Sequence, residues 1–261
     1  MDFIAGKVVL ITGGAGSIGL AIVKNLLNHG AKGVAIVDIS EEAGRKAVTE
    51  VVNIFDQKRI TFIKTDITNK TELEGAFETT IKKYKHLDIV INNAGILDEI
   101  EWKNTIAVNL VAVIEGTYLA MQKYLPKYKS GEEGLIINTA SICGLHSFQI
   151  NPVYCATKHG LIGLGKALGG DEFYKKYKVR VLTICPGLMN TPISGRADGF
   201  LFPEVLEKEV SAVCLVAQAP ERVSEGLIEA IQKGKNGSLW VIENNEPVYE
   251  VVVPQHKTMK V

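Results

Sequence analysis

A tyrosine and a lysine in the stretch Pro152–Gly160, PVYCATKHG, have the spacing of a general base and its charged neighbour. On a helix, Tyr154 and Lys158 lie one turn apart on the same face, so the ammonium group can favour the phenolate. The spacing alone is weak evidence, because Tyr174 and Lys178 repeat it. Other features of the chain must separate the two pairs.

The N-terminal residues predict a nucleotide site. Lys7–Thr12 is a β-branched run typical of a strand, and helical periodicity follows over Leu20–Leu27. The glycines between them match G-x-G-x-x-G, a turn whose backbone N–H groups and helix N-terminus can approach a pyrophosphate. The residues of this turn that we expect to contact a cofactor are Gly13, Gly14, Gly16, Ser17, Ile18 and Gly19.

The second predicted strand, Gly33–Asp38, ends in an acid about twenty residues after the last glycine, where a carboxylate can bind ribose hydroxyls. A glycine turn with a helix-capping aspartate is the structural alternative. A carboxylate at Asp38 would repel a 2′-phosphate, and neither the turn nor Ile39–Ser40 offers an arginine or lysine to bind one. The sequence therefore favours NAD over NADP.

Strands alternating with helices predict an α/β fold: a single doubly wound Rossmann domain with a parallel seven-stranded sheet flanked by helices. The ligand site is expected beyond the carboxyl ends of the strands. Residues 1–245 would form the catalytic domain, with a substrate lid near 188–204. The tail, 246–261, could pair across a subunit interface, cover the pocket or be disordered. The predicted strands are Lys7–Thr12, Gly33–Asp38, Arg59–Lys64, Leu87–Ile91, Gly134–Thr139, Val179–Cys185 and Ser238–Ile242.

Composition narrows the function further. The 261 residues carry a formal net charge of zero, so there is no electrostatic footprint for nucleic acid or an anionic membrane. The longest apolar runs are too short to span a bilayer, and we expect a soluble, cytoplasmic protein. Cys143 with His146 and Cys155 with His159 loosely resemble a zinc ligand set, but helix packing explains them more simply, and no metal is expected.

Several ordered blocks together resemble the short-chain dehydrogenase/reductase family over nearly the whole chain. The blocks are TGGAGSIG, the strand-ending Asp38, TDIT, NNAG, the Asn109 of VNL, Ser141, YCATK and CPGLMNT. Ser17 stands where the family's turn usually has its middle glycine. Within the family, the blocks look most like those of 15-hydroxyprostaglandin dehydrogenases and of insect-type alcohol dehydrogenases.

The resemblance implies the chemistry. Tyr154 would remove the alcohol proton as hydride passes to the nicotinamide, with its pKa lowered by Lys158 and the oxidised ring. Ser141 would hold the substrate oxygen, and Asn109 would hold a water that links Lys158 to solvent. Thr191 would bond the carboxamide or merely cap a helix. The other implied cofactor contacts are Asp66, which alternatively caps a helix, Ile67, Asn93, Ala94, Gly95, Pro186, Gly187 and Met189.

The residues flanking this site suggest an apolar substrate, namely Ile96, Leu145, Phe148, Leu188 and Met189, although core packing would explain them equally. Together with Ser141 and Tyr154, the expected substrate contacts are Leu188 and Asn151, which stands where prostaglandin dehydrogenases carry a glutamine. We expect oxidation of a hydrophobic secondary alcohol, prostaglandin-like or another lipid or aliphatic hydroxyl, to a ketone. Arg196 could still reach an acidic tail.

Two other functions remain open at this point. One is an insect-type enzyme for small secondary alcohols, and the other is a non-catalytic NAD-binding sensor or scaffold. The family resemblance also implies a homodimer or homotetramer, formed through the helices around Asn109 and Tyr154.

Overall fold

A computed structural model describes residues 3–189, 199–200, 202–205, 208, 216–254 and 256–259. These residues form one sheet in the order β3-β2-β1-β4-β5-β6-β7-β8. Because strand order reverses between β1 and β4, a crevice opens at the carboxyl ends of these strands. The strands are β1 Val8–Thr12, β2 Gly33–Asp38, β3 Ile60–Lys64, β4 Ile89–Asn92, β5 Gly134–Thr139, β6 Val179–Pro186, β7 Leu239–Ile242 and β8 Tyr249–Val251.

The seven predicted strands are confirmed, and they pair in parallel. The prediction of seven strands is one too few, because part of the tail joins the sheet. Strand β8 pairs antiparallel with β7, with Tyr249 opposite Val241 and Val251 opposite Leu239. It covers the backbone edge that β7 would otherwise present to solvent.

Helices cover both faces of the sheet, as near-continuous apolar strands require. The helices are α1 Ser17–Asn28, α2 Glu41–Val52, α3 Lys70–Tyr84, α4 Trp102–Tyr128, α5 Pro152–Leu168, α6 Asp171–Tyr177 and α7 Pro220–Lys233. In β1, Val9 and Ile11 face the core under α1, α2 and α7, whereas Leu10 faces the core under α3 and α4.

Helix α4 is unusual in containing two wider, π-type turns, Ala107–Val111 and Leu119–Tyr124. The second π-type turn directly precedes the segment with Pro126, which has no N–H to donate. Among the described residues it is the one helix long and apolar enough to cross a membrane. Half of the most apolar 18-residue stretch of this helix is buried inside the fold, so its length and composition are weak evidence for a membrane span.

Several predictions fall mainly outside the described residues. The sequence also predicts a helix at about Pro203–Val216, and of this range the structure describes a short 3-10 turn, Pro203–Val205, and isolated residues. Most of the expected lid, including Thr191 and Arg196, also lies outside them.

Candidate active site

The glycine turn after β1 is packed too closely for side chains at two positions. Gly13 has a left-handed φ of 63°, and a Cβ there would lie 2.8 Å from the Cα of Ala94. A Cβ on Gly19 would lie 2.1 Å from the carbonyl oxygen of Gly13, so α1 can approach the turn only because position 19 is glycine. Gly16 lines the open cavity, whereas Gly14 packs between Ile11 and Ile36 behind it.

Asp38 at the end of β2 helps to hold this turn. Its Oδ2 accepts a hydrogen bond from the backbone N–H of Ala15 at 3.1 Å, and its Oδ1 accepts one from Ser40 at 3.1 Å. The carboxylate also lines the cavity, beside the exposed side chain of Ile39. A carboxylate oxygen can accept more than one bond, so this placement suits a ribose diol.

Asp66 lies in the cavity wall but does not cap α3. Its Oδ1 accepts hydrogen bonds from the backbone N–H and the hydroxyl of Thr68, at 2.9 and 2.7 Å. Asn69 caps α3 instead, accepting from Thr71 and Glu72. Apart from contact with a cofactor, the structural role open to Asp66 is therefore to hold a local turn, and not to cap α3.

The neighbouring asparagines at the end of β4 have different surroundings. Asn93 donates to the carbonyl oxygens of Thr12 and Gly13, at 3.0 and 3.2 Å, and so joins its loop to the glycine turn. Asn92 is buried within the fold, where it donates to Asn138 at 2.8 Å and to Thr117 at 3.1 Å. Asn92 therefore serves the core, and Asn93 with the following residues lines the cavity.

Ser141 and Tyr154 meet at the carboxyl edge of the sheet. Ser141 follows β5 in extended conformation, with a φ of −176°, and its hydroxyl accepts a hydrogen bond from the N–H of Cys143 at 3.1 Å. Burial raises the pKa of the Tyr154 phenol, the charge of Cys143 raises it further, and a hydrogen bond with Ser141 acts in the opposite direction.

Lys158 lies one turn along α5, as the spacing predicts. Its Nζ is 5.4 Å from the centre of the Tyr154 ring and donates to the carbonyl oxygen of Thr139 at 3.0 Å. Burial lowers the pKa of this ammonium group to about 8. The expected lowering of the phenol pKa by Lys158 is not produced by the chain alone, because the cost of burying a phenolate is larger.

Asn109 lies behind the cavity wall, inside the first π-type turn of α4. Its Oδ1 accepts from the N–H of Ile96 at 2.9 Å, and its Nδ2 donates to the carbonyl oxygen of Ile96 at 2.7 Å. A Cβ on Gly95 would lie 3.4 Å from Oδ1 of Asn109 and 3.6 Å from Nζ of Lys158. The side chain therefore fixes the loop beside Lys158.

Asn151 is expected to contact substrate, and its amide meets two thiols in the structure. The Cys155 thiol donates to Oδ1 of Asn151 at 3.2 Å, and Nδ2 lies 3.9 Å from the sulfur of Cys143. Hydrogen bonding by Cys155 lowers the pKa of the Cys143 thiol to about 7, against an ordinary value of 9. Sequence reasoning weighed Cys143 as a metal ligand or as part of helix packing, and it missed the place of this thiol in the cavity wall. The described residues contain no cluster suited to a metal.

Most of these groups surround one cavity of about 900 Å³, whereas Gly14, Asn92 and Asn109 lie behind its wall. The charged residues among its described lining are Asp38, Asp66 and Lys158. The hydroxyl of Thr139 is buried, lines the cavity and has no hydrogen-bond partner among the described residues, as expected where a polar ligand binds. The predicted residues in the wall are Gly13, Gly16, Ser17, Ile18, Gly19, Asp38, Ile39, Asp66, Ile67, Asn93, Ala94, Gly95, Ile96, Ser141, Phe148, Asn151, Tyr154, Lys158, Pro186, Gly187, Leu188 and Met189.

The structure also corrects the list of apolar residues. Leu145 is not in the described wall and is 38% exposed. Lining residues that sequence reasoning missed include Leu97, Asn104, Val108, Ile142, Ile150, Phe200 and Ala217. They come from loops and from α4. The pattern of apolar residues in the sequence indicates only that such side chains are partly buried, and not that they face a cavity.

The second tyrosine–lysine pair lies at the opposite edge of the sheet, where β5 and β6 begin. The Tyr174 hydroxyl donates to Glu133 at 2.8 Å. Lys178 has a left-handed φ of 53° and ends α6. This pair therefore has a structural role.

Comparison with known proteins agrees with this geometry. Residues 7–199 match the model of the short chain dehydrogenase family. The chain is 42% identical over 188 residues to 15-hydroxyprostaglandin dehydrogenase (NAD(+)) of Mus musculus, covering 72% of this chain and 69% of that protein. It is 32% identical over 242 residues to alcohol dehydrogenase 1 of Ceratitis capitata, covering 91% and 92%. The crystal structure of levodione reductase matches with a TM-score of 0.76 at 25% identity, over 92% of this chain and 96% of that chain. The chain therefore belongs to the short-chain dehydrogenase family.

Proposed function

We propose that this protein is an NAD-dependent oxidoreductase that oxidises a hydrophobic secondary alcohol to a ketone, with Tyr154 as the general base. The observation that carries the proposal is a single cavity with Ser141, Tyr154 and Lys158 in its wall, together with the glycine turn and Asp38. Membership of the family supports the reaction class, oxidation at a CH–OH group.

NAD is the cofactor that these residues suit. The turn from Gly13 to Gly19 would hold the pyrophosphate, Asp38 the ribose hydroxyls, and the unpartnered hydroxyl of Thr139 lies in the same cavity. The relative from Mus musculus carries NAD(+) in its name. When bound, NAD supplies a hydride acceptor and a positively charged ring.

The proposed roles follow from where the side chains lie. The Ser141 hydroxyl holds the substrate oxygen as negative charge develops on it, and Tyr154 takes the proton. Because burial raises the phenol pKa in the chain alone, Tyr154 needs positive charge from the bound cofactor and from Lys158 to act near neutral pH. Each unit of pKa lowering corresponds to about 1.4 kcal/mol.

The cavity wall supports an apolar substrate. We assign to the substrate the described lining residues Leu97, Val108, Ile142, Phe148, Ile150, Leu188, Met189 and Phe200, with Asn104, Cys143 and Asn151 as polar members. None of these side chains can form an ion pair with a carboxylate. We therefore place lipid-like or aliphatic secondary alcohols ahead of small hydroxy acids, whose carboxylate would lie close to the reacting hydroxyl.

A panel of alcohols assayed by NADH absorbance at 340 nm tests the proposal. We expect kcat/KM to rise with the apolar length of the secondary alcohol, including a 15-hydroxyprostaglandin. A preference for the smallest alcohols would favour an activity like that of the insect relative, which matches more of the chain than the prostaglandin enzymes do. NAD binding without NADH formation from any alcohol would favour a sensor or scaffold.

We further propose that residues 1–245 form the catalytic domain, with a lid near 188–204, and that the protein is a cytoplasmic homodimer or homotetramer. Exposed apolar side chains on α4 support an interface there: Trp102, Val111 and Tyr118. Sedimentation that shows only monomer would contradict the assembly.

A further inference from the structure

Glu99 is a buried carboxylate that holds the start of the helix with the proposed base. Its Oε1 accepts a hydrogen bond from the backbone N–H of Tyr154 at 2.8 Å, and its Oε2 accepts one from Val153 at 3.0 Å. The residue is only 4% exposed. Both oxygens of its carboxylate thus accept from backbone N–H groups of the same helix turn.

The first turn of α5 needs such a partner. The first N–H groups of a helix have no carbonyl partner within the helix, and negative charge is stabilised near them. Asn151, at the N-cap position, makes no side-chain cap bond, because its amide meets the two thiols. Glu99 therefore serves as a cap supplied from a loop 54 residues earlier in the chain.

Glu99 lies where three parts of the site meet: the loop after β4, the segment at Gly199 and the start of α5. It follows Ile96 and Leu97, which line the cavity beyond β4. Its own N–H donates to the carbonyl oxygen of Gly199 at 2.8 Å, next to Phe200 in the wall. A Cβ on Gly199 would lie 2.9 Å from the carbonyl oxygen of Leu97, so the backbone at Gly199 packs closely against the loop after β4.

We propose that Glu99 is a positioning residue for Tyr154, setting the place of the phenol by accepting hydrogen bonds from two consecutive N–H groups of α5. The effect on catalysis rests on the function proposed above. Glu99 does not line the cavity and acts through the backbone of Tyr154. A displacement of about 1 Å in a reacting group can lower a rate about 100-fold.

Replacement of Glu99 by glutamine tests this role. Gln keeps one acceptor oxygen and turns an NH₂ group toward the second N–H, so one of the two bonds is lost. We expect Glu99→Gln to lower kcat about 100-fold while the Kd for NAD stays within about 3-fold. The matched control is Glu101→Gln, at an exposed residue of the same loop without a side-chain cap bond, which should keep kcat within about 2-fold.

Rescue separates positioning from a general loss of structure. In Glu99→Ala, formate can enter the space left by the side chain and should restore kcat at least about 10-fold, whereas chloride should not. If the alanine and glutamine variants do not fold, Glu99→Asp, which keeps both acceptor oxygens on a shorter side chain, replaces them and should show an intermediate kcat. Wild-type kcat in a folded Glu99→Gln variant would overturn the proposal.

Hydrogen exchange provides a readout that needs no substrate. In Glu99→Gln, the one of the two amides, Val153 or Tyr154, that loses its acceptor should exchange at least about 10-fold faster, with the rest of α5 unchanged. Unchanged exchange at these amides would overturn the anchoring. If the wild type oxidises none of the alcohols, the proposed function fails, and this measurement still decides whether Glu99 holds Tyr154.

Discussion

The Nζ of Lys158 lies 5.4 Å from the ring centre of Tyr154 and donates to the carbonyl oxygen of Thr139 at 3.0 Å. The ammonium group is thus anchored on β5 while it faces the phenol. Because both groups are buried, each is shifted toward its neutral form: the lysine pKa falls and the tyrosine pKa rises.

Removal of the Tyr154 hydroxyl should abolish most turnover without loss of the cofactor. We expect Tyr154→Phe to lower kcat at least about 100-fold, because general-base catalysis contributes about 100- to 10,000-fold. The Kd for NAD, measured by protein fluorescence, should stay within a few-fold. The matched control is Tyr174→Phe at the opposite edge of the sheet, which should keep wild-type kcat. Turnover of Tyr154→Phe within a few-fold of wild type would refute the proposed base.

Lys158 should reduce the stability of the cofactor-free protein. Its pKa is about 8 in the fold against an ordinary value of 10.5, so the unfolded chain binds the proton more tightly. Between pH 8 and 10.5 unfolding takes up a proton, and the free energy of unfolding therefore rises with pH. Below pH 8 both states are protonated and the full cost of burying the charge remains.

Replacement by an uncharged side chain should remove this cost. We expect Lys158→Met to melt at a higher temperature than wild type at pH 7, with the difference shrinking as the pH rises from 8 toward 10, and to lose turnover. Thermal unfolding without cofactor measures this, with Lys166→Met, an exposed position on the same helix, as control. A melting temperature below that of wild type at pH 7 would contradict the prediction.

Asp38 should determine the choice of cofactor. A 2′-phosphate placed beside this carboxylate is repelled, and we expect kcat/KM with NAD to exceed that with NADP at least about 30-fold, equivalent to about 2 kcal/mol. In Asp38→Ser the ratio should fall, mainly because activity with NAD is lost together with the bonds to Ala15 and Ser40. A wild-type preference for NADP at matched concentrations would overturn this interpretation.

Cys143 should be alkylated in a pH-dependent way. Hydrogen bonding by Cys155 lowers its thiol pKa to about 7, so its rate of reaction with iodoacetamide should rise as the pH increases through 7. Mass spectrometry of the labelled peptide measures the rate. In Cys155→Ala the midpoint should shift to higher pH. Cys185, whose pKa burial raises to about 12, is the internal control and should react much more slowly. Equal labelling of Cys143 at pH 6 and pH 8 would contradict the prediction.

The sequence by itself determined the fold class and the edge of the sheet where the site lies. Strand runs such as Gly33–Asp38 and Gly134–Thr139 were predicted with their observed bounds, because short β-branched runs between turns are local signals. The three-residue strand Tyr249–Val251 was missed, since its strand state depends on pairing with β7. The ordered blocks around Ser141, Tyr154 and Lys158 located the proposed chemistry.

Only the tertiary structure decided which side chains face the cavity and which hold the site from behind. Asn109 bonds Ile96, Asn92 joins a core network, and Asn151 meets two thiols, although all three are equally polar in the sequence. Glu99 could not be found from the chain order, because its carboxylate contacts N–H groups 54 residues away. The physical reason is that periodicity reports which face of an element is buried, whereas hydrogen-bond partners and pKa shifts depend on elements that meet only after folding.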